Sequence, residues 1–116
     1  MAAKYIIKKT WNGEFMFNLT AENGQTVLTS ERYASKAGAE TGIASAKLNS
    51  PYDARYDRRL SVRREPYFVL KAGNGEIIGT SEMYGSSAAM ENGIAAVKRL
   101  GPSASVDDQT LGRMFG

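Results

Sequence analysis

The chain contains no cysteine and no histidine in its 116 residues. Without cysteine, disulfides, thiolate nucleophiles and thiolate metal sites are excluded, although nothing follows about redox compartment. Without histidine the usual neutral-pH general base is missing, and with it the Ser-His and Cys-His nucleophile arrangements and nearly every zinc, copper or non-haem iron site. Any catalysis would have to run on carboxylates, lysine, tyrosine or hydroxyls, so the expectation is a protein that is not an enzyme and has no catalytic residue, cofactor or metal. No apolar stretch approaches the roughly 20 residues that span a bilayer. Residues 1–9 lack the basic region, long apolar run and small-residue cleavage site of a secretory signal. A cytoplasmic location and no membrane partner are therefore expected.

What is present is ordinary in bulk: 42% hydrophobic and 23% charged residues, in a chain long enough for one compact core. The formal net charge of +3 admits weak attraction to nucleic acid or an acidic protein without identifying either.

The informative feature is a repeat. Laying Phe17–Leu48 over Phe68–Arg99, a shift of about 51 positions, matches roughly half the residues without a gap. Asn23-Gly24 falls on Asn74-Gly75, Thr29-Ser30-Glu31 on Thr80-Ser81-Glu82, Tyr33 on Tyr84, and Gly42-Ile43-Ala44 on Gly93-Ile94-Ala95. In each copy, apolar residues alternate before the Asn-Gly pair, as in Phe15, Phe17 and Leu19 or Phe68 and Leu70, the period of a strand with one buried face. Asn-Gly predicts a two-residue hairpin turn with both residues at positive φ, and the Val, Ile and Thr residues that follow predict a second strand. Tyr5 to Lys9 with Asn12-Gly13 adds one more hairpin, making a three-stranded meander in copy one. After Tyr33 and Tyr84 the period changes to that of a helix. Met90, Ile94 and Val97, with Ala39, Ile43 and Ala46 in the first copy, form the stripe that should lie on the sheet. Ser35 and Ser86 are placed as N-caps. Gly42 and Gly93, inside the helices, point to a close approach between helix and sheet, and Asn92-Gly93 is a false turn signal.

Pro51 and Pro102 stop the helices, and an extended stretch follows each. Arg55 to Val62 doubles as the lead-in strand to Tyr67–Ala72, with Arg63 to Pro66 as the turn; Ser105 to Thr110 is its weaker partner. One domain is expected over residues 1–110, with repeat one about 3–60 and repeat two about 55–110, and a disordered tail at 111–116.

These residues resemble the YegP-like family of small bacterial proteins, whose NGE, TSE-x-Y and GI-A-x-K pattern occurs twice here, covering the chain to about Asp108. The resemblance implies an α+β fold of two tandem β(3)-α-β motifs. They form a single antiparallel sheet with the helices on one face and the last strand of each motif swapped onto the other. It implies no activity, and it accounts for Arg55 to Val62 serving both halves.

Two classes of function fit. The first is a small monomeric interaction module contacting protein, peptide or nucleic acid through Arg55, Tyr56, Arg58, Arg59, Arg63 and Arg64, where arginines could hold phosphates and aromatics could stack on bases. A solvated strand face of cross-strand ion pairs is the plainer reading of that segment. The alternative is a small-ligand protein or enzyme with two pseudo-symmetric pockets, built on Glu31 and Tyr33 and on Glu82 and Tyr84. The plainer reading here is a strand-to-helix corner with the tyrosine ring packed and its hydroxyl bonded. Trp11 is expected to cap the hydrophobic layer. The glycines from Gly73 to Gly79 lack dinucleotide-loop spacing, and Asn18-Leu19-Thr20, though a glycosylation sequon, falls in an expected strand.

Overall fold

The computed structural model describes residues 2–110. In chain order it contains β1 (Lys4–Lys9), β2 (Phe15–Thr20), β3 (Thr26–Ser30), α1 (Lys36–Asn49), a single 3-10 turn (Asp53–Arg55), β4 (Tyr56–Leu60), β5 (Pro66–Lys71), β6 (Ile77–Thr80), α2 (Ser87–Leu100) and β7 (Ser105–Asp108). The expected tail at 111–116 lies outside the described residues. The seven strands form one sheet in the order β4-β5-β6-β3-β2-β1-β7. Its halves meet where β3 and β6 pair antiparallel, Thr29 opposite Thr80.

The strand exchange implied by the family resemblance is present. The chain leaves α1 and enters β4, which pairs with β5 of the second meander, while β7 after α2 returns to β1 of the first. Tyr56 of β4 stands one repeat shift from Tyr5 of β1, so β4 is both the strand that follows α1 and the first strand of the second meander. The place beside β2 is already taken by β1, so β7 adds outside β1. It runs parallel to it, the exception in an otherwise antiparallel ladder. Polar β7 is pinned by ion pairs, Lys4 to Asp107 and Lys36 to Asp108, and by the Gln109 amide donating to the Ile7 carbonyl at 2.9 Å.

Ile7, Phe17, Leu19, Leu28, Phe68 and Leu70 face the helices and are fully buried. The expected helix stripes, Ala39-Ile43-Ala46 and Met90-Ile94-Val97, cover them. Ser35 and Ser86 cap α1 and α2 by accepting from the amides of Gly38 and Ala89 at 3.0 and 3.1 Å. Trp11, expected over the hydrophobic layer, is instead 96% exposed at the β1–β2 turn. Asn18 is buried in β2 with its amide on the Thr29 hydroxyl.

The turns differ from expectation in type. In the β2–β3 connection the Ala21 amide donates to the Gln25 carbonyl and the Gly24 amide to the Ala21 carbonyl, both at 2.9 Å. This is a three-residue loop whose last member is left-handed, and only Gly24 (φ 83°), not Asn23, has positive φ. The Asn23 side chain accepts the Gln25 amide at 3.0 Å instead. The β1–β2 and β5–β6 turns repeat this with Gly13 and Gly75. The β4–β5 turn spans Ser61–Glu65 rather than Arg63–Pro66, and Arg64 occupies the glycine position at φ 64°.

Candidate functional site

The Thr-Ser-Glu-x-Tyr step divides its residues between the two faces of the sheet. Its serines belong to the ladder: Ser30 accepts the Phe17 amide at 2.8 Å and donates to the Glu31 carbonyl at 2.7 Å, and Ser81 does the same for Phe68 and Glu82 at 3.0 and 2.8 Å. Thr29, Glu31, Thr80 and Glu82 line a shallow groove of about 580 Å³ on the face away from the helices, astride the β3–β6 seam. The tyrosines turn the other way. Tyr33 stacks on Phe17 (6.4 Å, 11°) and Tyr84 on Phe68 (6.3 Å, 13°), each with its hydroxyl against the helix glycine of its own repeat.

Gly42 and Gly93 are needed there. A Cβ at Gly42 would stand 2.7 Å from Tyr33 Cζ and 3.1 Å from Phe17 Cε2, and one at Gly93 would stand 2.7 Å from Tyr84 Cζ. The close approach expected at these glycines is thus to the tyrosine ring, laid between helix and sheet. The bonded hydroxyl expected of a plain corner gives way to a hydroxyl pressed on a helix backbone. Burial, then Glu31 and Glu76, push the Tyr33 phenol above its ordinary pKa; burial, then Glu82, do the same for Tyr84.

Each tyrosine borders a cleft shared between the repeats. One, of about 230 Å³, lies between Tyr33, Gly42 and Thr41 of the first repeat and Ala72, Asn74 and Glu76 of the second. The other, of about 390 Å³, lies between Tyr84, Gly93 and Asn92 of the second repeat and Ala21, Asn23 and Gln25 of the first. Every one of these residues maps onto its counterpart by the repeat shift. Glu82 also reaches the Tyr84 cleft, whereas Glu31 lines only the open-face groove, so Glu31 and Tyr33 do not share a pocket.

The arginine-rich segment is dispersed. Tyr56 turns into the core, edge-on to Phe68 at 5.6 Å, and donates to the Ser50 carbonyl at 2.7 Å, so it is not available at the surface. Arg58 grips Glu91 of α2 at 2.5 and 3.0 Å and Asp53 at 2.9 Å, and Lys98 joins Asp53 at 2.8 Å. The hydrogen bonds from Arg58 and Lys98 hold the Asp53 carboxyl down to about 2. Arg59 pairs with Asp57 at 2.8 Å. Arg55 donates to Asn49 at 2.9 Å, and Arg63 and Arg64 stand exposed on the β4–β5 turn. Cross-strand and strand-to-helix pairing thus occupies the centre of the segment. Sequence reasoning missed Glu91 and Lys98 as its partners. It also missed the cross-repeat clefts, because the turn that completes each cleft belongs to the other copy. The signal was present in Asn23 and Asn74, which fall at matching positions beside opposite tyrosines.

Among the described residues no cluster of three or more acidic side chains is placed to hold a metal, and no helix is long and apolar enough to cross a membrane.

A tandem β-α repeat protein whose two meanders exchange strands across one sheet is the class these features define. The chain belongs to the family described as Domain of unknown function (DUF1508), which matches it twice, over residues 11–57 and 62–108. It is 52% identical over 107 residues to the UPF0339 protein YegP of Yersinia pestis, covering 92% of this chain and 96% of that one. It is 46% identical over 110 residues to a UPF0339 protein of Shewanella oneidensis, covering 95% and 100%. Two solution NMR structures have the same fold: YegP of E. coli, a protein of unknown function, at TM-score 0.90 and 46% identity over 96% of both chains, and the UPF0339 protein of Shewanella oneidensis at TM-score 0.91 and 46% identity over 98% and 97%.

Proposed function

We propose that this chain is a small non-catalytic binding module, acting as a monomer, that receives its ligand in the clefts beside Tyr33 and Tyr84 rather than on the arginine strand. The observation that carries this reading is the recurrence of one constellation, tyrosine, helix glycine and the Asn-bearing turn of the opposite repeat, at two places related by the repeat. Packing accounts for the tyrosine and the glycine, and turn geometry for each asparagine; the reading rests on all three bordering one cleft, twice. The electrostatics favour binding over catalysis. The cleft tyrosines are moved away from neutrality, and so are the shifted carboxylates of Asp53, Asp57, Glu91 and Asp108, which leaves none of them poised as a neutral-pH acid or base. Each meander already receives its completing strand from within the chain, so a second copy is not required.

The test is a titration of the uniformly 15N-labelled full chain with a native bacterial extract separated into low-mass, peptide and nucleic-acid fractions. Amide shifts centred on Gly42 or Gly93 with a low-mass or peptide fraction are expected. Shifts confined to Arg58–Arg64 with the nucleic-acid fraction, or no shift with any fraction, would overturn the reading.

A further inference from the structure

The two tyrosine clefts share their inner walls but not their outer ends. Beside the Tyr84 cleft, Arg99 at the end of α2 pairs with Glu22 in the β2–β3 turn at 3.2 Å, an ion pair that bridges helix and turn at that end. The matching positions beside the Tyr33 cleft are Leu48 and Gly73, which can form no such pair. There the cleft runs on into an open groove of about 580 Å³ between the end of α1 and the β5–β6 turn, with Ser45, Ala72 and Asn74 common to both.

Arg55 stands in that groove in a prepared state. Its Nε donates to Asn49 Oδ1 at 2.9 Å, and buried Asn49 is itself held by donating to the Ser45 carbonyl at 2.8 Å. The guanidinium stands beside Gly73, where a Cβ would be 3.5, 3.8 and 3.9 Å from Nη2, Cζ and Nε. Unlike Arg58 and Arg59, it has no carboxylate partner among the described residues. A guanidinium anchored through Nε still offers its terminal nitrogens as a fork to an outside carboxylate. Next to it Leu48 and Tyr52 are 71% and 57% exposed, an apolar surface beside a fixed positive charge. Ser45 and Asn74 join this groove to the Tyr33 cleft, which adds the Thr41 hydroxyl and the Glu76 carboxylate; the Asn74 amide donates to that carboxylate at 2.9 Å, and its charge disfavours a polyanion. From Thr41 to Asn49 the helix rises about 12 Å, the length of three to four extended residues at about 3.3 Å each.

We propose that this groove binds the C-terminal end of an extended peptide, one per chain. The peptide carboxylate sits on the Arg55 fork, its last apolar side chain lies against Leu48 and Tyr52, and its upstream residues run along α1 towards Glu76. The inference rests on the cleft reading above and narrows it to one of the two clefts and one ligand chemistry.

The probe is acetyl-Ala-Ala-Ala-Phe as the free acid and as its C-terminal amide, titrated into the 15N-labelled full chain. The free acid is expected to move the amides of Ser45–Asn49 and Gly73–Glu76 and to leave Gly93 in place, and the amide form to bind at least about tenfold more weakly. Arg55→Lys should weaken the acid similarly, because a lysine cannot hold Asn49 and still present a fork. The double substitution Leu48→Arg with Gly73→Glu transplants the Arg99–Glu22 pair. It should abolish binding without loss of fold, since the other half of the molecule already carries that pair. Equal binding of acid and amide, or no shift with the acid at millimolar concentration, would overturn the proposal. Gly42 and Gly93 moving together would also overturn it, yet would leave the paired-cleft reading standing; failure of that reading shows separately, as silence at both glycines in the extract titration.

Discussion

The hydroxyl of Tyr5 donates to the carbonyl of Gly101 at 2.7 Å, joining the first strand to the end of the last helix, and Tyr56 makes the same bond to Ser50 at 2.7 Å. Each tyrosine thus ties the opening strand of one meander to the helix C-terminus of the other repeat, satisfying a buried carbonyl that the helix leaves unpaired. Removing either hydroxyl leaves that carbonyl without a partner, at a cost of about 1–3 kcal/mol. Tyr5→Phe and Tyr56→Phe should each lower the urea midpoint by a comparable amount with little change in m-value. A parental midpoint in either variant would mean that packing alone holds the exchanged halves together.

The tyrosine-on-glycine contact makes a sharper prediction, because propensity and packing oppose each other. Alanine for Gly42 or Gly93 gains about 1 kcal/mol of helix propensity. It also places a Cβ 2.7 Å from the tyrosine Cζ, closer than side chains tolerate. Overpacking of this kind costs about 1–3 kcal/mol, more where the ring cannot retreat, and Tyr33 is held from beneath by Phe17. Gly42→Ala should therefore destabilise, whereas Gly42→Ala in a Tyr33→Leu background should be neutral or stabilising. Additive effects across that double-mutant cycle would show that ring and glycine are not coupled.

How much of this was legible in the sequence follows from which interactions are local. The strand period of Phe15, Phe17 and Leu19, the stripe of Met90, Ile94 and Val97, and the caps at Ser35 and Ser86 express short-range geometry, and they stand in the structure as read. The turn subtype was not legible, because Asn-Gly suits both a two-residue turn and the last two positions of a three-residue loop, and the strand registers choose between them. Nor was the fate of the arginines: Arg58 meets Glu91 only because β4 lies under α2, a consequence of strand exchange. The clefts were half legible. Tyr33 and Tyr84 were singled out, but an unbroken strand would put residues 31 and 33 on one face; β3 ends at Ser30 and the chain bends toward the helix before Tyr33, so Glu31 is left on the open-face groove.

Arg64 carries the one positive φ outside glycine among the described residues, 64°, at the position held by glycine in the other three turns of the same kind. A left-handed conformation costs a side-chain-bearing residue about 1–2 kcal/mol, partly offset by the extra unfolded-state freedom that glycine brings. Arg64→Gly should therefore raise stability by about 0.5–1 kcal/mol, read as a higher thermal midpoint. Gly75→Ala, the reciprocal change in the β5–β6 turn, should lower it. If Arg64→Gly is destabilising, the arginine makes a contact that outweighs its backbone.

The dependence of stability on pH should form a plateau with two edges that different substitutions weaken. On the acid side, hydrogen bonds from Arg58 and Lys98 hold Asp53 at about 2, those from Lys36 and Thr110 hold Asp108 at about 2, and Asp57 and Glu91 are lowered by Arg59 and Arg58. A folded pKa below the unfolded value of about 4 means that the unfolded chain binds protons first, so this contribution is complete above that range and is lost as pH falls toward 2. On the alkaline side, burial raises Tyr5 and Tyr56 well above an ordinary phenol. Their contribution is complete below about pH 10, where the unfolded phenol titrates, and declines as pH rises toward the folded value, because the unfolded chain then loses protons that the folded one keeps. Urea unfolding from pH 2 to 12 should show both declines. Arg58→Ala should make the acid edge shallower by the Asp53 and Glu91 share, with Asp57 and Asp108 keeping theirs, and leave the alkaline edge; the Tyr5→Phe, Tyr56→Phe double variant should make the alkaline edge shallower, with Tyr33 and Tyr84 keeping their share, and leave the acid one. An alkaline decline of parental steepness in the double variant would assign it to other groups and remove the buried phenols as its cause.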